Sequence, residues 1–331
     1  MMRIKWLVFA SILLLSFSLA ACGTSGTQPG SAPTGNNDTA PPSTDKASTD
    51  LSATTRTYKT AFGEIQIPVS VQRVVTLQYA SQMLSVGVKP IGAASHLLEN
   101  TDPAFQGIED VGTLEAINYE KILSLQPDLI ITADIDKDVY DKLSMIAPTV
   151  DLPWMDYDMY GHVKAIGDIL NKQQEAAAWQ AEFDKKLTTA KEQILGKIGE
   201  GKTVAIYRID PKEFYVYGAR NMGFTFYKAL GLTPPPAIQK ELDKDPNFWA
   251  APISMELLPD YAADYVFVSL LPGEEAAGRY NEIKSSAIWK NLPAVKNSYV
   301  YEINMDTWLG YTPHDIELQL QDAVKLLTQV Q

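Results

Sequence analysis

One short unit occurs twice in this chain, and no other feature constrains the fold as strongly. NYEKILSLQPDLIIT spans residues 118–132, and SMELLPDYAADYVFVS spans 254–269. Each begins on a helix-capping residue, Asn118 or Ser254, with a glutamate two places later, Glu120 or Glu256. Each continues as an apolar helical run, places an aspartate eight residues beyond the glutamate (Asp128, Asp264) and ends in an apolar strand. A helix that feeds a strand, twice over, predicts two α/β lobes with largely parallel sheets.

The flanking text agrees. RVVTL (73–77), KPIGAAS (89–95), DLIIT (128–132) and PTVDLP (148–153) read as strands, separated by helical runs that include 80–87 and 140–147. Beyond Gly201 the alternation restarts. TVAIYRI (203–209) pairs with EFYVYG (213–218) as a hairpin through Asp210-Pro211-Lys212, and FTFYKALGL (224–232) reads as a helix. DYVFVS (264–269) and SYVYEI (298–303) are strands, and HDIELQLQDAVKLL (314–327) is the closing helix. Between the halves, Gln174–Ile198 holds no Pro, and Gly only at 196. Its apolar residues Trp179, Phe183, Leu187, Ala190, Ile194 and Ile198 recur at helical spacing. At ~1.5 Å per residue such a helix is about 37 Å long, enough to cross a small domain. The expected order is an N-terminal lobe over 56–170, an inter-lobe helix over 171–198 and a C-terminal lobe over 199–331.

The first residues give an address. A basic start (Arg3, Lys5) and an apolar run from Trp6 to Leu19 read as a secretory signal over 1–21. The run ends in Leu19-Ala20-Ala21-Cys22, which resembles the lipobox of bacterial lipoproteins. Cys22 is the only cysteine, so in an exported chain it has no disulfide partner, and lipidation accounts for it. Residues 22–55 are rich in Ser, Thr, Gly, Pro, Asn and Asp and read as a disordered tether behind an acyl anchor. The net charge is −12, and −14 once Arg3 and Lys5 leave with the signal, which argues against nucleic acid and against an electrostatic hold on anionic lipid. The chain contains no GxSxG, GxxxxGK[ST], HExxH or CxxC, and His96, His162 and His314 are far apart. The expectation is a binding protein without catalytic residues, not an enzyme.

RVVTLQYASQMLSVGVKPIGAA, VGTLEAINYEKILSLQPDLIITAD, LSMIAPTV and SMELLPDYAADYVFV followed by SAIWKNLPAVKNSYVYEIN carry a specific likeness. Across the mature body the chain resembles the substrate-binding proteins of bacterial ABC importers for iron–siderophores, haem and cobalamin. KEFYVYGARNMGFTFYKALGL and the Ser254–Asp264 stretch narrow the resemblance to the ferric-hydroxamate and related siderophore-binding lipoproteins. The resemblance implies two Rossmann-like lobes on a rigid helix with the ligand in the cleft between them. It implies that Glu120 and Glu256, one per lobe, engage arginines on two permease subunits, where an Arg–carboxylate fork would fix orientation. Each glutamate also suits a helix N-terminus whatever it docks. The implied setting is the outer face of the cytoplasmic membrane of a single-membrane bacterium, with a monomer anchored through acylated Cys22.

Ligands of open α/β sheets lie beyond the carboxyl ends of strands. That rule selects Gln78, Tyr79, His96, Asp134 and Trp154 in the first lobe. In the second it selects Arg208, matching an arginine that related binders turn toward the iron centre, with an ion pair to Asp210 or Glu213 as its alternative use. Tyr215, Tyr217, Arg220, Trp249, Trp308 and Tyr311 follow as strand-end and loop candidates. A ferric siderophore brings its iron already coordinated, so no cofactor and no protein–metal ligand is expected. With Arg208 and Arg220 the only cations among these positions, near-neutral ferric hydroxamates fit better than ferric citrate or catecholates. Haem and cobalamin stay open on the fold, as do, in other classes, a siderophore hydrolase and a ligand sensor.

Overall fold

The computed structural model describes residues 54–100 and 102–329. The expected signal segment, Cys22 and nearly all of the tether lie outside the described residues. The chain opens with an antiparallel hairpin, β1 (Thr55–Thr60) and β2 (Gly63–Pro68), which forms a two-stranded sheet of its own. The N-terminal lobe follows as β3 (Val74–Thr76), α1 (Ala80–Ser85), β4 (Gly92–Ala93), β5 (Glu109–Asp110), α2 (Tyr119–Ser124), β6 (Leu129–Thr132), α3 (Lys137–Ser144), β7 (Thr149–Asp151) and α4 (Met159–Ile169). The long helix is α5 (Gln173–Ile198). The C-terminal lobe contains β8 (Val204–Ile209), β9 (Phe214–Tyr217), α6 (Pro236–Lys244), β10 (Ala250–Ile253), β11 (Tyr265–Leu270), α7 (Glu274–Ser285), α8 (Ala287–Lys290), α9 (Pro293–Lys296), β12 (Val300–Ile303), α10 (Met305–Leu309) and α11 (Pro313–Thr328).

Both five-stranded sheets share one spatial order. The first is β5-β4-β3-β6-β7, and the second is β10-β9-β8-β11-β12. Numbered within each lobe, both read 3-2-1-4-5, with the order reversing beside the first strand. The first sheet is parallel throughout. In the second, β8, β11 and β12 pair in parallel, and β9 alone runs the other way: the β8–β9 hairpin turns back, and β10, antiparallel to β9, resumes the β8 direction. The central strands β6 (LIIT) and β11 (YVFVSL) are buried almost throughout, as expected for strands covered on both faces.

The repeated aspartates tie these sheets. Asp128, just before β6, accepts hydrogen bonds from the backbone N–H groups of Gln72 (2.7 Å) and Arg73 (3.0 Å), just before β3. Asp264, just before β11, accepts from the N–H and hydroxyl of Thr203 (both 2.9 Å), just before β8. Each carboxylate therefore ties the start of strand 4 to the start of strand 1 in its own lobe.

The expected rod is present. Phe183, Leu187, Ala190, Ile194 and Ile198 are buried, while Trp179 is partly buried and stacks on Phe183 at 5.3 Å. Ala176, near its start, belongs to the N-terminal core, and Phe183 onward belongs to the C-terminal core. Gly199, at φ 83°, ends the helix where a side chain would be strained. The lobes also touch directly. His314 Nδ1 lies 3.3 Å from Asp102 Oδ2, and the His314 backbone N–H donates to the Ser81 hydroxyl at 3.3 Å.

Two local expectations change. FTFYKALGL does not form a regular α-helix: Phe224–Ala229 is a π-type turn, with the Leu230 N–H reaching the Thr225 carbonyl at 2.9 Å. The widened turn lets consecutive aromatics pack in different directions, with Phe224 against Tyr311 and Phe226 against Phe267 and Trp308. The helix of the second repeated unit is a 3-10 helix (Met255–Tyr261), with Pro259, which has no N–H to donate, inside it.

Candidate functional site

A cavity of about 530 Å³ opens between the lobes. The N-terminal lobe lines it with strand-end residues: Gln78 and Ser81 after β3, His96, Leu97, Glu99 and Asn100 after β4, and Trp154 after β7. Phe105, from the segment before β5, closes one side. From the C-terminal lobe come Asn221, Asp306 at the start of α10, Gly310, Tyr311 and Thr312, and Asp315 in the first turn of α11.

Local structure sets these side chains. Trp154 follows the end of β7, and its backbone N–H donates to Asp134 at 3.1 Å. Its indole stacks on the buried His162 ring at 4.3 Å and meets Tyr311 edge-on at 6.1 Å. His162 Nε2 is 3.1 Å from the Trp154 carbonyl. A carbonyl only accepts, so the proton is on Nε2 and Nδ1 is bare. Burial pulls this ring down to about 4, so it is neutral at ordinary pH. Asp315 is committed to the helix start, where it accepts from the Thr312 N–H (3.0 Å) and hydroxyl (2.6 Å) in a capping box. Gly310 packs against Asp315 so closely that a Cβ there would collide with it.

The electrostatics are one-sided. No Lys or Arg is among the lining residues, which include Glu99, Asp306 and Asp315. Loss of solvent around His96 lowers its pKa, so it adds little positive charge near neutrality. Among the described residues no group of three His, Cys, Asp or Glu side chains is placed to hold a metal ion. The cavity offers aromatic walls, amide and hydroxyl groups, and carboxylates at its rim.

The candidate residues fall into three groups. Gln78, His96, Trp154 and Tyr311 converge on the cavity. Tyr79, Trp308 and Arg220 are buried and support it. The Tyr79 hydroxyl donates to the Leu152 carbonyl at 2.6 Å, and the Trp308 indole N–H donates to Asp322 at 2.8 Å. Arg220, 1% exposed, donates to the Tyr157 and Trp154 carbonyls at 3.0 and 3.3 Å. Arg208, Tyr217 and Trp249 lie outside the lining. Arg208 forms a two-pronged pair with Asp210 (2.9 and 2.7 Å), donates to the Tyr217 hydroxyl (2.9 Å) and covers the Tyr215 ring at 4.3 Å. The ion-pair use of Arg208 is the one the structure displays. Trp249 is 45% exposed. Asn221, Asp306, Asn100 and Phe105 line the cavity but were not singled out from the sequence. Asn221 carries one faint signal, its place in an Arg-Asn-Met-Gly turn, where it adopts φ 47°.

Away from the cavity, Glu120 and Glu256 are both exposed. The Asn118 side chain caps α2 through the Lys121 N–H at 2.9 Å. The neighbouring Ser254 hydroxyl holds the Glu256 carboxyl below the usual carboxylate range. Among the described residues no helix is long and apolar enough to cross a membrane.

Known proteins share this architecture. The description "periplasmic binding protein" attaches to the family that matches residues 75–307. The chain is 34% identical to the iron(3+)-hydroxamate-binding protein YxeB of Bacillus subtilis over 279 residues, covering 82% of this chain and 85% of the relative. It is 32% identical to the iron(3+)-hydroxamate-binding protein FhuD of Bacillus subtilis over 326 residues, 96% of each. A solved structure from Bacillus subtilis, a periplasmic binding protein component of a Fep/Fec-like ferrichrome ABC transporter, superposes with a TM-score of 0.71 at 31% identity. It covers 82% of this chain and 100% of that one.

Proposed function

The chain belongs to the periplasmic binding protein family, and from that premise we propose that it captures a ferric hydroxamate siderophore and delivers it to an ABC permease. The observation that carries the ligand class is the inter-lobe cavity with aromatic walls and no lysine or arginine in its lining. A tris-catecholate or citrate complex brings several negative charges toward Glu99, Asp306 and Asp315, where like charges repel and the lining itself holds no cation. A ferric trihydroxamate is near neutral, and its iron is already enclosed by ligand oxygens. It needs apolar walls and a few placed polar groups, which Trp154, Tyr311, Gln78 and Asn221 supply. Two relatives over 30% identical are named for iron(3+)-hydroxamate binding, which supports the same class.

In this reading Glu120 and Glu256 are the permease contacts, and the rod between the lobes keeps closure small. Cys22 carries the lipid that holds the protein at the outer face of the membrane, and the Ser-, Thr-, Gly- and Pro-rich segment behind it forms the tether. Loss of palmitate labelling in Cys22→Ser tests the anchor. The functional test is tryptophan fluorescence titration with ferrichrome, a ferric tris-catecholate, ferric citrate, haem and cobalamin. Tight quenching by ferrichrome with weak response to the anionic complexes is the expected result. Tight binding of a catecholate or citrate complex would overturn the charge argument. Turnover of any of these ligands would overturn the assignment as a binding protein.

A further inference from the structure

A continuous strip of aromatic rings joins the lobes beneath the cavity. Tyr160 of the N-terminal lobe meets Phe224 of the C-terminal lobe at 6.1 Å, Phe224 meets Tyr311 at 5.2 Å, and Tyr311 meets Trp154 at 6.1 Å. One charged side chain crosses this strip. Arg220 comes from the C-terminal lobe, and both of its hydrogen-bond partners are main-chain carbonyls of the N-terminal lobe, Trp154 and Tyr157. The Tyr311 ring covers the guanidinium at 4.9 Å. The group is 1% exposed, and its partners are two neutral carbonyls and a π face, with no carboxylate among them.

A buried cation with no carboxylate in contact is costly, and it persists only where its donors are met in good geometry. The loop that carries it is built to hold that geometry. Gly218 runs against the Phe248 carbonyl and Gly223 against the Gly218 carbonyl, each too closely for a Cβ. The Gly218 and Ala219 N–H groups are bonded to the Trp249 and Phe248 carbonyls at 2.6 and 2.8 Å. Asn221, in the left-handed region at φ 47°, donates to the Leu309 carbonyl at 2.7 Å. On the other side the Trp154 carbonyl is shared with His162 Nε2, and the Trp154 N–H is held by Asp134. The backbone of one cavity wall is thus fixed from its own lobe by Asp134 and His162, and from the opposite lobe by Arg220.

We propose that Arg220 is a positioning residue for ligand capture, a cross-lobe staple that holds the Trp154–Tyr157 backbone and so sets Trp154 in the cavity wall. It acts through that segment and not by touching the ligand. The proposal deepens the siderophore-capture reading and rests on it for one of its readouts. Arginine suits the task because its planar fork reaches two carbonyls at once while its face stacks on a ring, and lysine offers a single point donor.

The test uses the full chain with Arg220→Met and Arg220→Lys. Three quantities are read: ferrichrome affinity, acrylamide quenching of Trp154 (wild type against Trp154→Phe), and amide hydrogen exchange without ligand. Arg220→Met is expected to speed exchange at residues 154–159 by tenfold or more. It also makes Trp154 easier to quench, weakens ferrichrome binding by about tenfold and leaves exchange in β8 and β11 unchanged. Arg220→Lys is expected to fall between, and it carries the test if the methionine variant does not fold. Weakened binding with unchanged exchange at 154–159 overturns the staple, because the guanidinium then touches the ligand itself. Faster exchange with unchanged affinity overturns the positioning role, as does a change spread evenly over the C-terminal lobe. If wild type binds no ferrichrome, the functional reading fails alone, and the exchange and quenching arms still decide the staple.

Discussion

The two repeated units share one spacing and are used differently. In the first, Asn118 caps a regular α-helix by accepting from the Lys121 N–H. In the second, Ser254 makes no such cap, and the helix, with Pro259 inside it, has 3-10 geometry. The aspartates diverge less. Both bind the backbone just ahead of their lobe's first strand, but where Asp128 accepts from two N–H groups Asp264 accepts from one, with the Thr203 hydroxyl and Lys202 (3.1 Å) as further donors. The comparison separates two requirements that a single spacing had merged. The aspartate recurs because a 3-10 helix and an α-helix both have to end where strand 4 meets strand 1. The glutamates meet no such internal need, and what they share is exposure.

The largest expected effect tests the aspartates. Asp264→Ala should lower unfolding stability by about 2–3 kcal/mol and Asp128→Ala by about 1–2 kcal/mol, because the donors lose a charged acceptor and Asp264 serves three donors to Asp128's two. Urea denaturation gives both values, and equal losses would erase the distinction between the two ties. Titration sharpens it. Burial works to raise the Asp264 pKa, but hydrogen bonds from Thr203 and Lys202 outweigh it and hold the carboxyl below its ordinary value. A depressed carboxylate contributes stability that is present above its unfolded value of about 3.9 and is lost as pH falls through its folded value. The gap between wild type and Asp264→Ala should therefore be constant above about pH 5 and shrink below about pH 4. A gap that widens in acid would contradict this.

The glutamates come next. Glu120→Ala with Glu256→Ala should cut uptake in cells by about tenfold or more while ferrichrome affinity stays at the wild-type level. Uptake at the normal rate would remove the docking role and leave both residues as helix-start charges. The smallest effect concerns the helices. Pro259→Ala restores an N–H but frees the unfolded chain, and should lower stability by about 0.5 kcal/mol with a slight gain in helical circular dichroism. No gain would mean that packing of the buried Leu258, and not the proline, imposes the tight turn.

These features were unequally legible. The α5 stripe was readable because one face of an isolated rod packs and the rest meets water. By contrast α7, EEAAGRYNEIKS, shows only scattered apolar residues and gives little periodic signal, and Ala-Ala-Pro-Ile of β10 is a poor strand sequence that forms only because β9 offers it an edge. In the site, strand ends led to Gln78, His96 and Trp154 because parallel strands all point one way. That rule loses force in the second lobe, where β9 runs backward, and its cavity residues come instead from β12 onward and from the Asn221 turn. Tyr217, Trp249 and Trp308 show the limit of reading aromatics from a loop. The same ring chemistry serves a wall, a surface or a core, and only packing separates them.

The long helix has a consequence for how the protein meets a partner. Residues 173–198 form one continuous helix whose two ends are buried in different cores. If Glu120 and Glu256 are docking points, their separation is then set by the scaffold and hardly at all by the cargo. The molecule works as a caliper with a fixed gap. A permease could recognise its carrier by that gap whatever was inside, so several carriers of one gauge could share a single importer. News of whether the cavity is full would have to travel by some other route.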